Sequence, residues 1–242
     1  MDHNRTVWLY WEGECPAWIQ ACRTTIIRHA PQVRVLNPET WDALWLEDRN
    51  IDLASLGVEH RSDFIRAYLL AHYGGLWIDS ECVVLRPLDQ LLDVLPGIQS
   101  LGYQEHYGYL PTAFFGAPLG SNTMAAYYAR MRQILLTNES RRWTCAADIM
   151  AEVAERFRGQ HILLPLSCVQ PVAWNRQAEF YAIRSDEDHA ERIAPAGVCS
   201  MLVYTACNVY ERAHPGESLL SDGTFFRYLL KMSDKAARLE GR

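Results

Sequence analysis

Long hydrophobic runs are missing from this 242-residue sequence. No stretch approaches the roughly 20 apolar residues that cross a bilayer, so no membrane-spanning helix is expected. No secretory leader is expected either. "MDHNRTVWLYW" reaches an apolar run quickly but has neither a basic n-region nor a small-residue cleavage site. The seven cysteines are odd in number and scattered, and no pair has C-x-x-C spacing. That excludes the usual zinc and thiol-exchange motifs and suggests reduced thiols in a cytosolic protein, most of them core filler. Positive charge is not in excess either. A formal charge of −6 argues against a general nucleic-acid or anionic-membrane binder, although it leaves room for a local basic pocket. Internal repeats, low-complexity tracts and long linkers are all absent, so a single domain over residues 1–242 is expected.

What is present is an ordinary globular composition, 49% hydrophobic and 21% charged, in a chain long enough to bury a core without staples. "TVWLYW", residues 6–11, is a continuous run of β-formers, as expected of a strand buried on both faces. Pro16 suits the first turn of a helix, and Trp18, Ile19, Cys22 and Ile26 make one apolar stripe before Ala30-Pro31 stops it. "VRVL" (33–36) is a second strand. Asn37 and Pro38 then open a short helix as N-cap and first-turn residue. This alternation predicts an α/β fold, a mostly parallel central sheet flanked by helices.

A further helix is predicted from Ser62, as N-cap, to about Tyr73, closed by Gly74-Gly75, with "LWID" (76–79) as the next strand and "CVVLRPL" as an extended continuation. "IQSLGYQ", "TAFFGA", "ILLPL" and "CSMLVYTAC" read as strands. Residues 121–137, 145–158 and 224–232 read as helices.

Two acids stand one residue apart at the end of the "LWID" strand: Asp79 and Glu81. If residues 77–81 are extended, Trp77, Asp79 and Glu81 share one face. Two close carboxylates repel unless a cation lies between them, and oxygen ligands suit Mg²⁺ or Mn²⁺. Such ions fill their remaining positions with water and phosphate oxygens, so a diphosphate ligand carried in with its metal fits. Ligands in open α/β sheets also bind beyond the carboxyl ends of strands. A bare D-x-E is more often two solvated acids. Upstream, however, Asp63 and Arg66 lie three apart on one helix face, either as a surface ion pair or as a carboxylate and guanidinium that grip sugar oxygens.

The segment Ser62-Asp63, Arg66, Leu70, Gly74-Gly75, Trp77, Asp79, Glu81 resembles the "DXD" sugar-binding region of family-32 glycosyltransferases, bacterial capsular polysaccharide synthesis proteins and the large clostridial glucosylating toxins. The capsular group is the nearest in pattern, because "VWLYWEGECPAWIQAC" also looks like the start of its members. The strong resemblance spans about 20 residues and the weaker one roughly the first 90.

The resemblance implies a single-domain GT-A fold and a metal-dependent, retaining glycosyltransferase. Its donor would be a nucleoside-diphosphate sugar, a UDP-sugar in preference, and its acceptor a hydroxyl of a glycan or lipid-linked precursor of a bacterial surface polysaccharide. It implies that Asp79 meets the ribose and sugar region and helps to hold Mn²⁺ or Mg²⁺. Glu81 would bind the cation, Asp63 and Arg66 the donor sugar, Trp77 would sit beside the donor, and Trp11 would stack on the base. Glu81 departs from the commoner Asp by one methylene, which puts the strength of the metal site in question. His214 is the first choice for a third metal or phosphate contact from "CNVYERAHPGESLLSDG", which also holds Asn208, Ser218 and Asp222. Gln104, Glu105, His106 and Trp174 are candidate acceptor contacts. The expected location is the cytoplasm, free or peripheral at the inner membrane. The alternatives are a toxin- or effector-like protein glycosyltransferase and a catalytically silent nucleotide-sugar-binding domain.

Overall fold

The computed structural model describes residues 3–105, 108–137, 145–157, 160–193, 200–205, 207–216 and 218–241. The chain packs as two compact units interleaved in sequence. The first comprises Met1–Gly13, Gln32–Ile78 and Asp89–Leu164, and the second Glu14–Pro31, Asp79–Leu88 and Pro165–Arg242.

From the start of the chain, β1 (Thr6–Tyr10) is buried at every residue, as its unbroken apolar run requires. Next comes α1 (Ala17–His29), entered from Pro16, with Trp18, Ile19, Cys22, Thr25 and Ile26 on its buried side. After β2 (Gln32–Leu36), Asn37 caps α2 (Pro38–Asp42). The Asn37 side chain accepts from the Thr40 amide at 2.8 Å, and the Thr40 hydroxyl accepts from the Asn37 amide at 2.9 Å, a reciprocal capping box.

The next helix, α3 (Val58–His72), starts a turn earlier than the Ser62 cap predicted. Gly57 is its N-cap, and Glu59 lies in the first turn, where a carboxylate complements the exposed amides. Ser62 is therefore an interior residue. Gly74 and Gly75 close the helix with φ of 67° and 97°, the left-handed region expected of them. A Cβ on Gly74 would lie 2.4 Å from the Leu119 amide nitrogen, so glycine is required there twice over. The Gly74 carbonyl accepts a 2.8 Å bond from Trp8 Nε1, which satisfies the indole of that fully buried ring.

The chain continues through β3 (Gly75–Ile78), β4 (Cys82–Val84), α4 (Asp89–Val94), β5 (Ser100–Tyr103), β6 (Phe114–Ala117), α5 (Asn122–Thr137), α6 (Cys145–Arg156) and β7 (His161–Leu164). Pro165 ends β7 and caps α7 (Leu166–Val169), so "ILLPL" is strand and then helix. Last come α8 (Ala178–Tyr181), α9 (Asp186–Ile193), β8 (Leu202–Tyr204), α10 (Cys207–Ala213) and α11 (Phe225–Leu239).

The sheet of the first unit runs in the order β2-β1-β3-β6-β5-β7. β2, β1 and β3 are parallel, β6 is antiparallel to both of its neighbours, and β5 pairs parallel with β7. The result is a mostly parallel α/β sheet flanked by helices. Because β1, β2 and β3 are parallel, their C-terminal ends share one edge, where Tyr10, Leu36 and Ile78 lie. Beside the sheet, α3 and α5 bury a dense aromatic group. Trp41 stacks on Trp45 at 5.9 Å, and Phe64, Tyr68 and Tyr128 pack around them.

The second unit has its own two-stranded antiparallel sheet, β4 with β8, backed by α1 and α11. His29 is fully buried there, its Nε2 3.1 Å from the Ser233 hydroxyl on α11. Cys22, Cys82 and Cys207 are buried and free.

Candidate active site

The candidate residues of the first unit lie on α3, on β3 and just after β1. Asp63 and Arg66 are one helical turn apart, with Arg66 Nη1 3.5 Å from Asp63 Oδ1. This is no surface pair, since the two side chains are only 6% (Arg66) and 14% (Asp63) exposed. The guanidinium also donates to the Thr112 hydroxyl, and its carbon lies 5.0 Å above the Trp77 ring. A counter-ion, a hydroxyl and a π-face thus hold a buried cation in one orientation. His60 Nδ1 lies 3.8 Å from the other Asp63 oxygen. Trp77 is 1% exposed, so its visible role is to support Arg66.

Trp11 follows β1, its amide donating to the Leu36 carbonyl at 3.0 Å, and it is half-buried, unlike the core residues Trp8 and Trp18. Sequence reasoning missed the support next to it. Arg61 on α3 pairs with Glu12 and donates to the Leu53 and Leu56 carbonyls at 3.0 and 2.8 Å. It therefore ties the residue after Trp11 to the loop before α3. Burial, and then the Glu12 charge, push the nearby Tyr10 phenol up to about 12, so it stays protonated.

The candidate residues of the second unit include the two acids of the acidic turn. Here the extended reading of residues 77–81 is corrected. β3 stops at Ile78, and the Cys82 amide donates to the Asp79 carbonyl at 3.0 Å. Asp79 to Cys82 is therefore a β-turn, so strand alternation does not set the directions of the two acids. The cause is the change of partner. β3 pairs with β1 and β6, whereas β4 starts at Cys82 and pairs with β8, so the chain must turn between them.

Asp79 is half-buried, and Glu81 is only 8% exposed. The turn is held from two sides. The Thr205 hydroxyl donates to the Glu81 carbonyl at 2.8 Å, and Arg23 Nε donates to the Ser80 hydroxyl at 3.3 Å. Neither Thr205 nor Arg23 was singled out in the sequence, because no spacing links them to the acids. Burial, reinforced by the Glu81 charge, pushes the Cys22 and Cys207 thiols up. The carboxylate oxygens are the hard ligands this turn offers. Among the described residues no group of three or more His, Cys, Asp or Glu side chains is arranged to hold an ion. Two carboxylates fit a Mg²⁺- or Mn²⁺-like ion that takes its other oxygens from water and a diphosphate.

His214 follows α10 and is exposed. Its ring stacks on Tyr210 at 3.9 Å, and its Nδ1 lies 3.0 Å from the Tyr210 carbonyl, so its visible contacts are within its own turn of chain. Trp18 Nε1 donates to Glu211 on α10 at 2.5 Å. Asp222 and Ser218 are exposed. Among the acceptor candidates, Gln104 is exposed and donates to the Gly108 carbonyl at 3.3 Å. The Glu105 amide bonds the Tyr109 carbonyl at 2.8 Å, and Trp174 is 59% exposed. His106 and the Asn208 side chain lie outside the described residues.

Residues 1–95 match the family model for "Capsular polysaccharide synthesis protein". That stretch contains α3, the double glycine and both acids of the turn. No curated protein sequence matches the chain. Among solved structures it is similar to the apo form of the glycosyltransferase GlyE of Streptococcus pneumoniae TIGR4, at 14% identity and a TM-score of 0.56. That match covers 98% of this chain and 63% of GlyE, so the chain spans less than two thirds of that protein. It is similar to the galactosyltransferase LgtC, solved with donor and acceptor sugar analogues, at 11% identity and a TM-score of 0.52 over 95% of both chains. A glycosyltransferase involved in glycosylation of the major capsid of PBCV-1 matches at 14% identity and a TM-score of 0.52, over 86% of this chain and 96% of that one. At such identities the likeness establishes the fold.

Proposed function

We propose that this protein is a glycosyltransferase of bacterial surface-polysaccharide synthesis. It would move a sugar from a nucleoside diphosphate, UDP in preference, to a hydroxyl of a glycan or lipid-linked acceptor. The observation that carries the reading is the acidic turn. A half-buried Asp79 and a buried Glu81 directly follow a central strand, within the stretch that the capsular family model matches.

In this reading Asp79 and Glu81 hold Mn²⁺ or Mg²⁺, with His214 the candidate for a further contact. When bound, the ion supplies charge neutralisation for the departing diphosphate. Asp63 accepts from donor-sugar hydroxyls, and Arg66 donates to donor oxygens and stabilises charge as it develops. Trp11 stacks on the base. Gln104, Glu105, His106 and Trp174 are the candidates for acceptor contact. The bond from the anomeric carbon to the diphosphate oxygen breaks, and the acceptor oxygen bonds to that carbon from the same face, retaining configuration. The acceptor proton passes to the departing diphosphate, so no protein nucleophile is needed.

A melting screen of nucleotide sugars tests the reading. A UDP-sugar with Mn²⁺ is expected to raise the melting temperature, because a ligand that binds only the native state stabilises it. Glu81→Gln is expected to remove the part of the rise that depends on Mn²⁺. If no nucleotide sugar shifts the melt with or without the ion, the proposal fails.

A further inference from the structure

Lys231 and Lys235 are the only lysines in the chain, and both lie on the last described helix, α11. From Phe225 to Arg242 the sequence has five basic residues against two acidic ones, in a protein whose formal charge is −6. The helix divides this charge cleanly from its apolar residues. Phe225, Phe226, Tyr228, Leu229, Ser233, Ala236 and Ala237 face the interior of the second unit. Arg227, Lys231, Lys235 and Arg238 recur at helical spacing on the exposed side. The one acid among them, Asp234, is engaged by Arg28 of α1. Among the described residues no carboxylate lies within ion-pairing distance of Lys231, Lys235 or Arg238. The same three side chains, with Asp234 and Leu239, line a shallow depression. Leu239 is 78% exposed, the highest among the described large apolar side chains.

We infer that this face is a docking surface for an anionic lipid bilayer. Charge complementarity carries the inference. A compact row of cations in an acidic protein is attracted to a negatively charged sheet, while the rest of the chain is repelled, so the row sets which side approaches the lipid. The long apolar stems of lysine and arginine lie along the interface with their charges at the phosphates, and Leu239 adds apolar contact. The formal charge is an average over the whole chain, and this face departs from that average. No described helix is long and apolar enough to cross a membrane, so the attachment is peripheral. The inference goes beyond the glycosyltransferase reading and does not need it, although a lipid-linked acceptor would be found at such a surface.

Co-sedimentation with vesicles tests it without reference to turnover. The wild-type chain is expected to partition onto phosphatidylcholine vesicles containing phosphatidylglycerol, to leave pure phosphatidylcholine in solution, and to be released by salt. Each lysine near such a surface is worth about five-fold in partitioning, so Lys231→Glu with Lys235→Glu lowers binding at least about ten-fold. Lys231→Arg with Lys235→Arg retains it. All variants should melt with the wild type, since both side chains are exposed. Equal binding to neutral and anionic vesicles, no binding to either, or binding that the Glu double variant leaves unchanged would overturn the inference. Nucleotide-sugar binding in solution is expected to be the same in every variant, so failure here is distinguishable from failure of the enzymatic reading.

Discussion

Arg66 shows at the scale of one residue why a motif position needs its particular side chain. Its guanidinium faces Asp63, donates to Thr112 and lies over Trp77 at the same time. A lysine ammonium is a point charge on a flexible stem and cannot do all three. Arg66→Ala is therefore expected to lower kcat/KM for the nucleotide sugar about ten- to hundred-fold, the value of one or two charged hydrogen bonds. Arg66→Lys should recover little of that loss. Steady-state kinetics over a range of donor concentration checks this, and an unchanged kcat/KM in the alanine variant would remove Arg66 from donor binding. The residue was legible in the sequence because its spacing from Asp63 and from the double glycine is local. Thr112 and Arg61 were not, because their roles depend on contacts between residues remote in sequence or on packing that spacing does not encode.

Among the elements, the hinge from α3 into β3 is the most tightly determined. Gly74 has a positive φ, and its missing Cβ leaves room for backbone at Leu119 and Pro118. Neither neighbour is a flexible side-chain end, so the space cannot be made by a rotamer change. Gly74→Ala is expected to cost about 1 kcal/mol or more and to lower Tm by at least about 2 °C, checked by thermal melting. A variant that melts with the wild type would mean the hinge is less constrained than its contacts indicate. Both glycines, the Asn37 cap and the buried β1 were readable because glycine, asparagine and an unbroken apolar run have local physical meanings. The start of α3 was misplaced because Ser62 is a good cap in isolation, while one further turn, with Glu59 in it, extends the helix back to Gly57. The turn at Asp79–Cys82 was misread as strand for a related reason. Strand partners are long-range, and nothing in "IDSEC" itself says that β3 and β4 belong to different sheets.

For the whole molecule, the alternation of strands and helices in the first 40 residues was enough to predict a mostly parallel α/β sheet, and the comparisons with solved structures agree on that fold. The second unit was the part least visible in the sequence. It is assembled from three separated stretches, and its short helices carry no long periodic pattern. The acidic turn that opens its middle stretch belongs to this unit, which is why the supports of the turn, Arg23 and Thr205, come from residues far away in sequence. The measurement that tests the central claim most directly is release of UDP from UDP-sugars by the purified protein, with Mn²⁺ and with a chelator, beside the Asp79→Asn variant. Release by the wild type that requires the ion, and that falls by at least about a hundred-fold in a variant that still folds, is the predicted result. Release that Asp79→Asn leaves near the wild-type rate, or binding of the nucleotide sugar with no release at all, would contradict it.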